Sequence, residues 1–127
     1  MPLPITSLYA GLLALLLFAL SMQVIRQRWR ARVSLGDGGD SQLGRAIRAQ
    51  GNFAEYVPMA VILLALSELA SAPDVALHGL GGALLAARVM HAIGLIRRVS
   101  ILRRLGTGIT FLVLALGGAA LVAHSVW

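Results

Sequence analysis

The sequence predicts an all-α membrane protein: a bundle of four transmembrane helices forming a single domain over residues 1–127. Three observations carry this. The chain is 58% hydrophobic and 13% charged, about half the charged share of an ordinary soluble domain. Four runs of little or no charge are each long enough for a hydrocarbon core that takes about 20 helical residues to cross. The charges also cluster between these runs, rather than lining one face of each helix as in a water-soluble bundle.

The first span is expected at 5–25, where Ile5 to Ile25 contains no charge. Its arginines follow the apolar run instead of preceding it, so a retained span is expected, not a cleaved signal. Gly36-Asp37-Gly38-Gly39 reads as a tight turn, since glycine admits positive backbone angles. A phosphate-cradling loop needs a preceding strand and a Lys-Ser/Thr ending that this turn lacks. The second span is expected at 45–71, its helix beginning in the polar stretch near Ser41 and its apolar part broken only by Glu68. Pro58 predicts a kink there. Ser71-Ala72-Pro73-Asp74 is a short turn that makes the second and third spans an antiparallel hairpin. The third span, 75–96, encloses Arg88 and His91, and the fourth, 105–126, holds no ionisable group but His124. Tyr9, Trp29, Tyr56 and Trp127 suit an interfacial aromatic belt.

All eleven basic residues are arginine. Arg26, Arg28, Arg30, Arg32, Arg45 and Arg48 surround the first loop, and Arg97, Arg98, Arg103 and Arg104 surround the third. Ten of the eleven therefore fall on one side of a four-span protein. The positive-inside rule puts both termini outside and both basic loops in the cytoplasm. The net charge of +6 is thereby read as orientation and attraction to anionic lipid, with no nucleic-acid partner, because a nucleic-acid module carries its basic face on a soluble fold. The absence of cysteine excludes disulfides, thiolate metal sites and a cysteine nucleophile.

The segment entering the second span is the most informative. Arg45, Arg48, Asn52 and Glu55 are spaced by three, four and three, so a helix gathers them on one face. A carboxylate at this depth needs partners, and Arg48 and Asn52 lie beside it. Arg88, His91, Leu95 and Arg98 repeat the spacing in the third span. Arg88 is too deep to face lipid, and Glu55 is its expected carboxylate partner across the hairpin. That pair reads equally as an architectural ion pair fixing helix register or as part of a site. Donors, one carboxylate and an amide at one depth suit a small zwitterionic ligand with excess negative charge.

Arg45-x-x-Arg48-Ala49-x-x-Asn52-x-x-Glu55-Tyr56, followed by Pro58, resembles the MAPEG family, the membrane-associated proteins in eicosanoid and glutathione metabolism. Arg88-Val89-Met90-His91 is similar to the Arg-Val-x-His of its prostaglandin synthase branch, while the compact length and the Gly-Asp-Gly-Gly turn resemble a short bacterial inner-membrane subgroup. The resemblance implies a left-handed four-helix bundle assembled as a homotrimer, with glutathione as co-substrate bound between subunits and reached from the cytoplasmic half. It implies that Arg48, Asn52 and Glu55 hold the glutathione backbone, that Gln50 and Tyr56 line the site, and that Arg88 and His91 contribute from the third span. One of Arg26 and Arg28 reaches the ligand from the first span. Arg104, or Arg103 in the neighbouring register, favours the thiolate, since a cation beside a thiol lowers its pKa. The sequence departs from the family's enzymes in three places: Leu95 and Gly108 stand where tyrosines occur, and Leu105 stands where the prostaglandin synthase branch has a serine. These departures argue against prostaglandin synthesis.

Three functions follow. A glutathione-dependent transferase or peroxidase would act on a lipophilic small molecule that partitions into the bilayer. A non-catalytic module would bind glutathione, a related thiol or a lipid headgroup. A small proton-coupled multidrug exporter would need a carboxylate inside the first span, which has none.

Overall fold

The computed structural model describes residues 1–127 and contains four helices, α1 (Pro4–Ala31), α2 (Ser41–Leu69), α3 (Asp74–Ile96) and α4 (Ser100–Val126). All four are long and apolar enough to cross a membrane. α3 matches its expected limits closely and α2 begins at Ser41, where its helix was expected to start, whereas α1 and α4 run past their expected spans at the arginine-bearing end. The reason is that an apolar window marks the hydrocarbon core, not the helix. Arginine and glutamine are good helix formers, and a long arginine keeps its head in water from a residue at the interface.

Local chemistry sets the helix ends. Pro4 opens α1, where its missing N–H costs nothing. The next two amides are capped from a distant part of the chain: Ile5 N–H and Thr6 N–H donate to the Glu68 carboxylate at 2.9 and 2.7 Å. The single acid in the apolar part of α2 thus ties the end of that helix to the start of α1. Asp40 caps α2 by accepting from Leu43 N–H at 2.9 Å, and it also accepts from Arg30 at 2.6 Å. The Leu43 amide and the Arg30 guanidinium together hold the Asp40 carboxyl below its ordinary value of 3.8. α2 continues through Pro58 as one helix. In the first loop, Gly36, Gly38 and Gly39 all adopt positive φ, as expected for a tight turn.

α1 packs on α2 and α3, α4 packs on the same two helices, and α1 and α4 do not touch. The central core is formed by Leu13, Leu20, Phe53, Val57, Leu84, Leu95 and Val113. Apolar side chains such as Leu15, Phe18, Ile62, Leu112 and Leu116 point outward, as required of a surface whose solvent is lipid. The closest helix approach is between α3 and α4. A Cβ on Gly94 would lie 2.3 Å from the Arg103 backbone nitrogen, and one on Gly106 would lie 2.5 Å from the Ala87 carbonyl oxygen. These two glycines let the backbones meet and so fix where the first turn of α4 sits against α3.

The arginine end is tied together by cross-contacts. Arg45 donates to the Leu95 carbonyl at 3.1 Å, and Arg98 donates to Ser41 Oγ at 2.8 Å. Arg98 therefore does not extend the polar stripe of α3. The helix ends at Ile96, and Arg98 takes up a left-handed φ of 61° in the turn to α4. At the opposite end, Tyr9 Oη lies 2.9 Å from His78 Nδ1, so this tyrosine pairs α1 with α3 as well as occupying an interfacial position.

Candidate functional site

At the arginine end, α2, α3 and α4 together line a groove of about 560 Å3. Arg48 and Asn52 line it from α2, His91 and Leu95 from α3, and Arg103, Arg104, Thr107 and Gly108 from α4. Only one of these eight residues is hydrophobic, so the groove is a polar recess in an otherwise apolar molecule.

The α2 wall follows from helical spacing. Arg48 Nη1 donates to Glu55 Oε1 at 3.3 Å, spanning two turns on one face. Both side chains are about half exposed, so the pair sits at the rim. Gly51 lies between them and leaves room for the crossing, with its missing Cβ 3.5 Å from Arg48 Nη1. Asn52 occupies the same face. Its Oδ1 is buried and has no hydrogen-bond partner.

The floor is built from α3. Arg88 is 1% exposed and is held by neutral groups: Nη1 donates to Thr110 Oγ1 at 3.5 Å, Nη2 donates to His91 Nδ1 at 3.3 Å, and the guanidinium lies 5.8 Å from the Phe53 ring centroid. Thr110 in turn donates to the Gly106 carbonyl at 2.8 Å. The expected Arg88–Glu55 ion pair does not form. Arg30–Asp40 and Arg48–Glu55 are the two salt bridges, because Glu55 lies at the exposed rim and reaches the arginine of its own helix face. Arg88 is left as a buried cation with no carboxylate, and its Nε has no partner. An arginine can only donate, so His91 Nδ1 accepts and the ring's proton is on Nε2.

The α4 wall brings Arg103 and Arg104 from the first turn of the helix. No side chain caps that terminus, so the unpaired amides add positive partial charge to the two guanidinia. Neither side chain has a hydrogen-bonded or ionic partner within the chain.

Five of the residues expected from the sequence thus converge on one groove: Arg48, Asn52, His91, Arg103 and Arg104. Glu55 is at its rim and Arg88 beneath it. The others lie elsewhere within the chain. Gln50 Nε2 donates to Ser21 Oγ on α1 at 2.9 Å. Tyr56 stacks edge-on against Phe111 with centroids 5.3 Å apart. Arg28 donates to the carbonyls of Val33 and Gly36 and so shapes the first loop. Arg26 lines a separate furrow between α1 and α3. Thr107, Thr110 and Phe53 are neighbours of the site that were not anticipated. Thr107 was within reach of sequence reasoning, since it lies one turn beyond Arg103 on the same helical face. Leu95 and Gly108, which stand where the enzymes of the family that the sequence resembles have tyrosines, both line the groove.

A sequence model of the MAPEG family matches residues 6–123. The chain belongs to the MAPEG family. Two relatives are each 41% identical to it over 123 residues, covering 97% of this chain and 94% of the relative. They are the inner membrane protein YecN of Escherichia coli K12 and the protein of the same name in E. coli O6:H1 strain CFT073. In this MAPEG protein the groove is formed by the second-span motif on one side and the paired arginines of α4 on the other.

Proposed function

We propose that this MAPEG protein is a glutathione-dependent transferase or peroxidase acting on lipophilic electrophiles dissolved in the membrane. The observation that carries the reading is the convergence of Arg48, Asn52, His91, Arg103 and Arg104 on one polar groove. Glutathione offers two carboxylates, an ammonium, peptide amides and a thiol. Arg48 and one of the α4 arginines suit the carboxylates, and Glu55 at the rim suits the ammonium. The unpartnered Asn52 Oδ1 suits a peptide N–H. The other α4 arginine stabilises the thiolate, which is the nucleophile. In the transferase reaction, the sulfur pair forms a bond to the electrophilic carbon as the leaving group departs with the displaced electrons. In the peroxidase reaction, two thiols become a disulfide while a hydroperoxide becomes an alcohol and water. Holding the thiolate where the bilayer delivers the second substrate supplies the proximity.

The same reading places left-handed bundles in a homotrimer in the bacterial inner membrane, with the basic loops cytoplasmic. Ten arginines at one end support the orientation. Gln50, Arg26 and Arg28 fall outside the groove of their own chain, which is consistent with a neighbouring copy supplying the first-span arginine.

Glutathione titrated into the purified protein, with ultraviolet detection of thiolate, tests the reading, and turnover with a generic aromatic electrophile tests the chemistry. Activity unchanged in both Arg103→Ala and Arg104→Ala would remove it. One observation favours a second reading, a module that binds glutathione, a related thiol or a lipid headgroup without turning it over: Leu95 and Gly108 give the groove no hydroxyl where tyrosines would provide them. Binding without turnover across electrophiles and hydroperoxides would select that reading.

A further inference from the structure

A second recess lies on the opposite flank of α3. α1 and α3 run in the same direction and enclose a furrow of about 400 Å3 near the arginine end. Arg26 and Arg97 stand at its interfacial mouth with Gln23, and Leu20, Ile93 and Ile96 line the remainder. The polarity is therefore graded along the furrow, from two cations at the level of the headgroups to aliphatic side chains that face the hydrocarbon. Neither guanidinium has a carboxylate or any other acceptor within the chain. By contrast, Arg28, Arg30, Arg45, Arg48 and Arg98 at the same end are all engaged with protein oxygens. A soluble anion would satisfy the arginines but leave the aliphatic part of the furrow unfilled. An occupant with an anionic head and an apolar tail satisfies both.

We infer that the α1–α3 furrow is a binding site for one anionic glycerophospholipid, its phosphate held between Arg26 and Arg97 and an acyl chain lying along Leu20, Ile93 and Ile96. Arginine suits the phosphate because its planar donors bind it bidentately, and a zwitterionic headgroup would bring a cation of its own beside two guanidinia, whereas an anionic one brings net negative charge. The site does not rest on the glutathione reading: it shares with it only Arg26, one of the two first-span arginines, and adds Arg97, Gln23 and Ile93, which that reading does not use.

Native mass spectrometry of the full-length protein, released from detergent micelles containing equal phosphatidylglycerol and phosphatidylcholine, tests the site. The wild type is expected to retain phosphatidylglycerol selectively. Arg26→Gln/Arg97→Gln should lower that selectivity roughly tenfold, and Arg97→Gln alone should lower it in part. Arg32→Gln/Arg98→Gln removes the same charge from the same end and should leave it unchanged. Ile93→Trp, which fills the furrow without altering charge, should also displace the lipid. Equal retention of the two lipids by the wild type would overturn the inference. So would equal losses in the two double variants, since the attraction would then belong to the basic end as a whole.

Discussion

Arg88 Nη2 donates to His91 Nδ1 at 3.3 Å, one helical turn away, and this contact decides what the histidine offers the groove. With Nδ1 occupied as an acceptor, the ring donates through Nε2. Arg88, itself 1% exposed, has no carboxylate within salt-bridge distance, so a cation lies beneath the groove as well as along its α4 wall. A ligand with excess negative charge is the natural complement.

The first prediction concerns this donor. His91→Phe preserves the bulk of the ring but removes Nε2–H, together with the Nδ1 acceptor of Arg88. Glutathione affinity should fall about tenfold, the worth of a hydrogen bond to a charged acceptor. Calorimetric titration checks the affinity, and circular dichroism should show unchanged helix content.

A second prediction follows from the α3–α4 contact. A Cβ at Gly106 would sit 2.5 Å from the Ala87 carbonyl oxygen and 2.7 Å from His91 Cβ. Neither neighbour is a flexible side-chain end, so the helices must move apart. Gly106→Ala should destabilise the protein by about 1–3 kcal/mol and weaken ligand binding, since Arg103 and Arg104 move with α4. Gly108→Ala, where an added Cβ meets nothing within 4 Å, is the control, and thermal unfolding in detergent compares the two.

Much of this architecture was legible in the residues. The apolar runs, the Gly-Asp-Gly-Gly turn and the three-four-three spacing of Arg45, Arg48, Asn52 and Glu55 depend on local periodicity, which a sequence displays directly. The partner of Arg88 was not legible. Depth along two antiparallel spans pointed to Glu55, but the outcome depended on which way each side chain left its helix, and Glu55 turned to Arg48. Glu68 was likewise read only as an interruption. Its role as the cap of α1 needs two segments separated by more than sixty residues to be brought together, and no local pattern carries that information.

Acid sensitivity is expected at the start of α2. Asp40 accepts from Leu43 N–H and from Arg30, which hold its carboxyl below 3.8. A depressed folded-state pKa adds stability that is present above the unfolded value and is lost as pH falls through the folded one. The α2 N-terminus should therefore be insensitive to pH between about 5 and 7 and loosen below 3.8. Hydrogen exchange of the Leu43 amide monitors this directly, and Asp40→Ala should show the loosened behaviour already at neutral pH.

The turn between α2 and α3 offers a stabilising change. Ser71 adopts φ 61°, a left-handed conformation that glycine takes without a Cβ penalty. Ser71→Gly should raise stability by about 1 kcal/mol while leaving the distant groove unaffected. A higher unfolding midpoint in detergent with unchanged glutathione affinity is the expected result.

The most direct test of the central claim is glutathione titration of the detergent-solubilised protein, following binding and thiolate absorbance together, beside Glu55→Gln and Arg103→Ala/Arg104→Ala. The account predicts that the wild type binds glutathione as thiolate, that Glu55→Gln weakens binding, and that the double variant loses the thiolate. Absence of binding at millimolar glutathione, or full thiolate formation in the double variant, would contradict it.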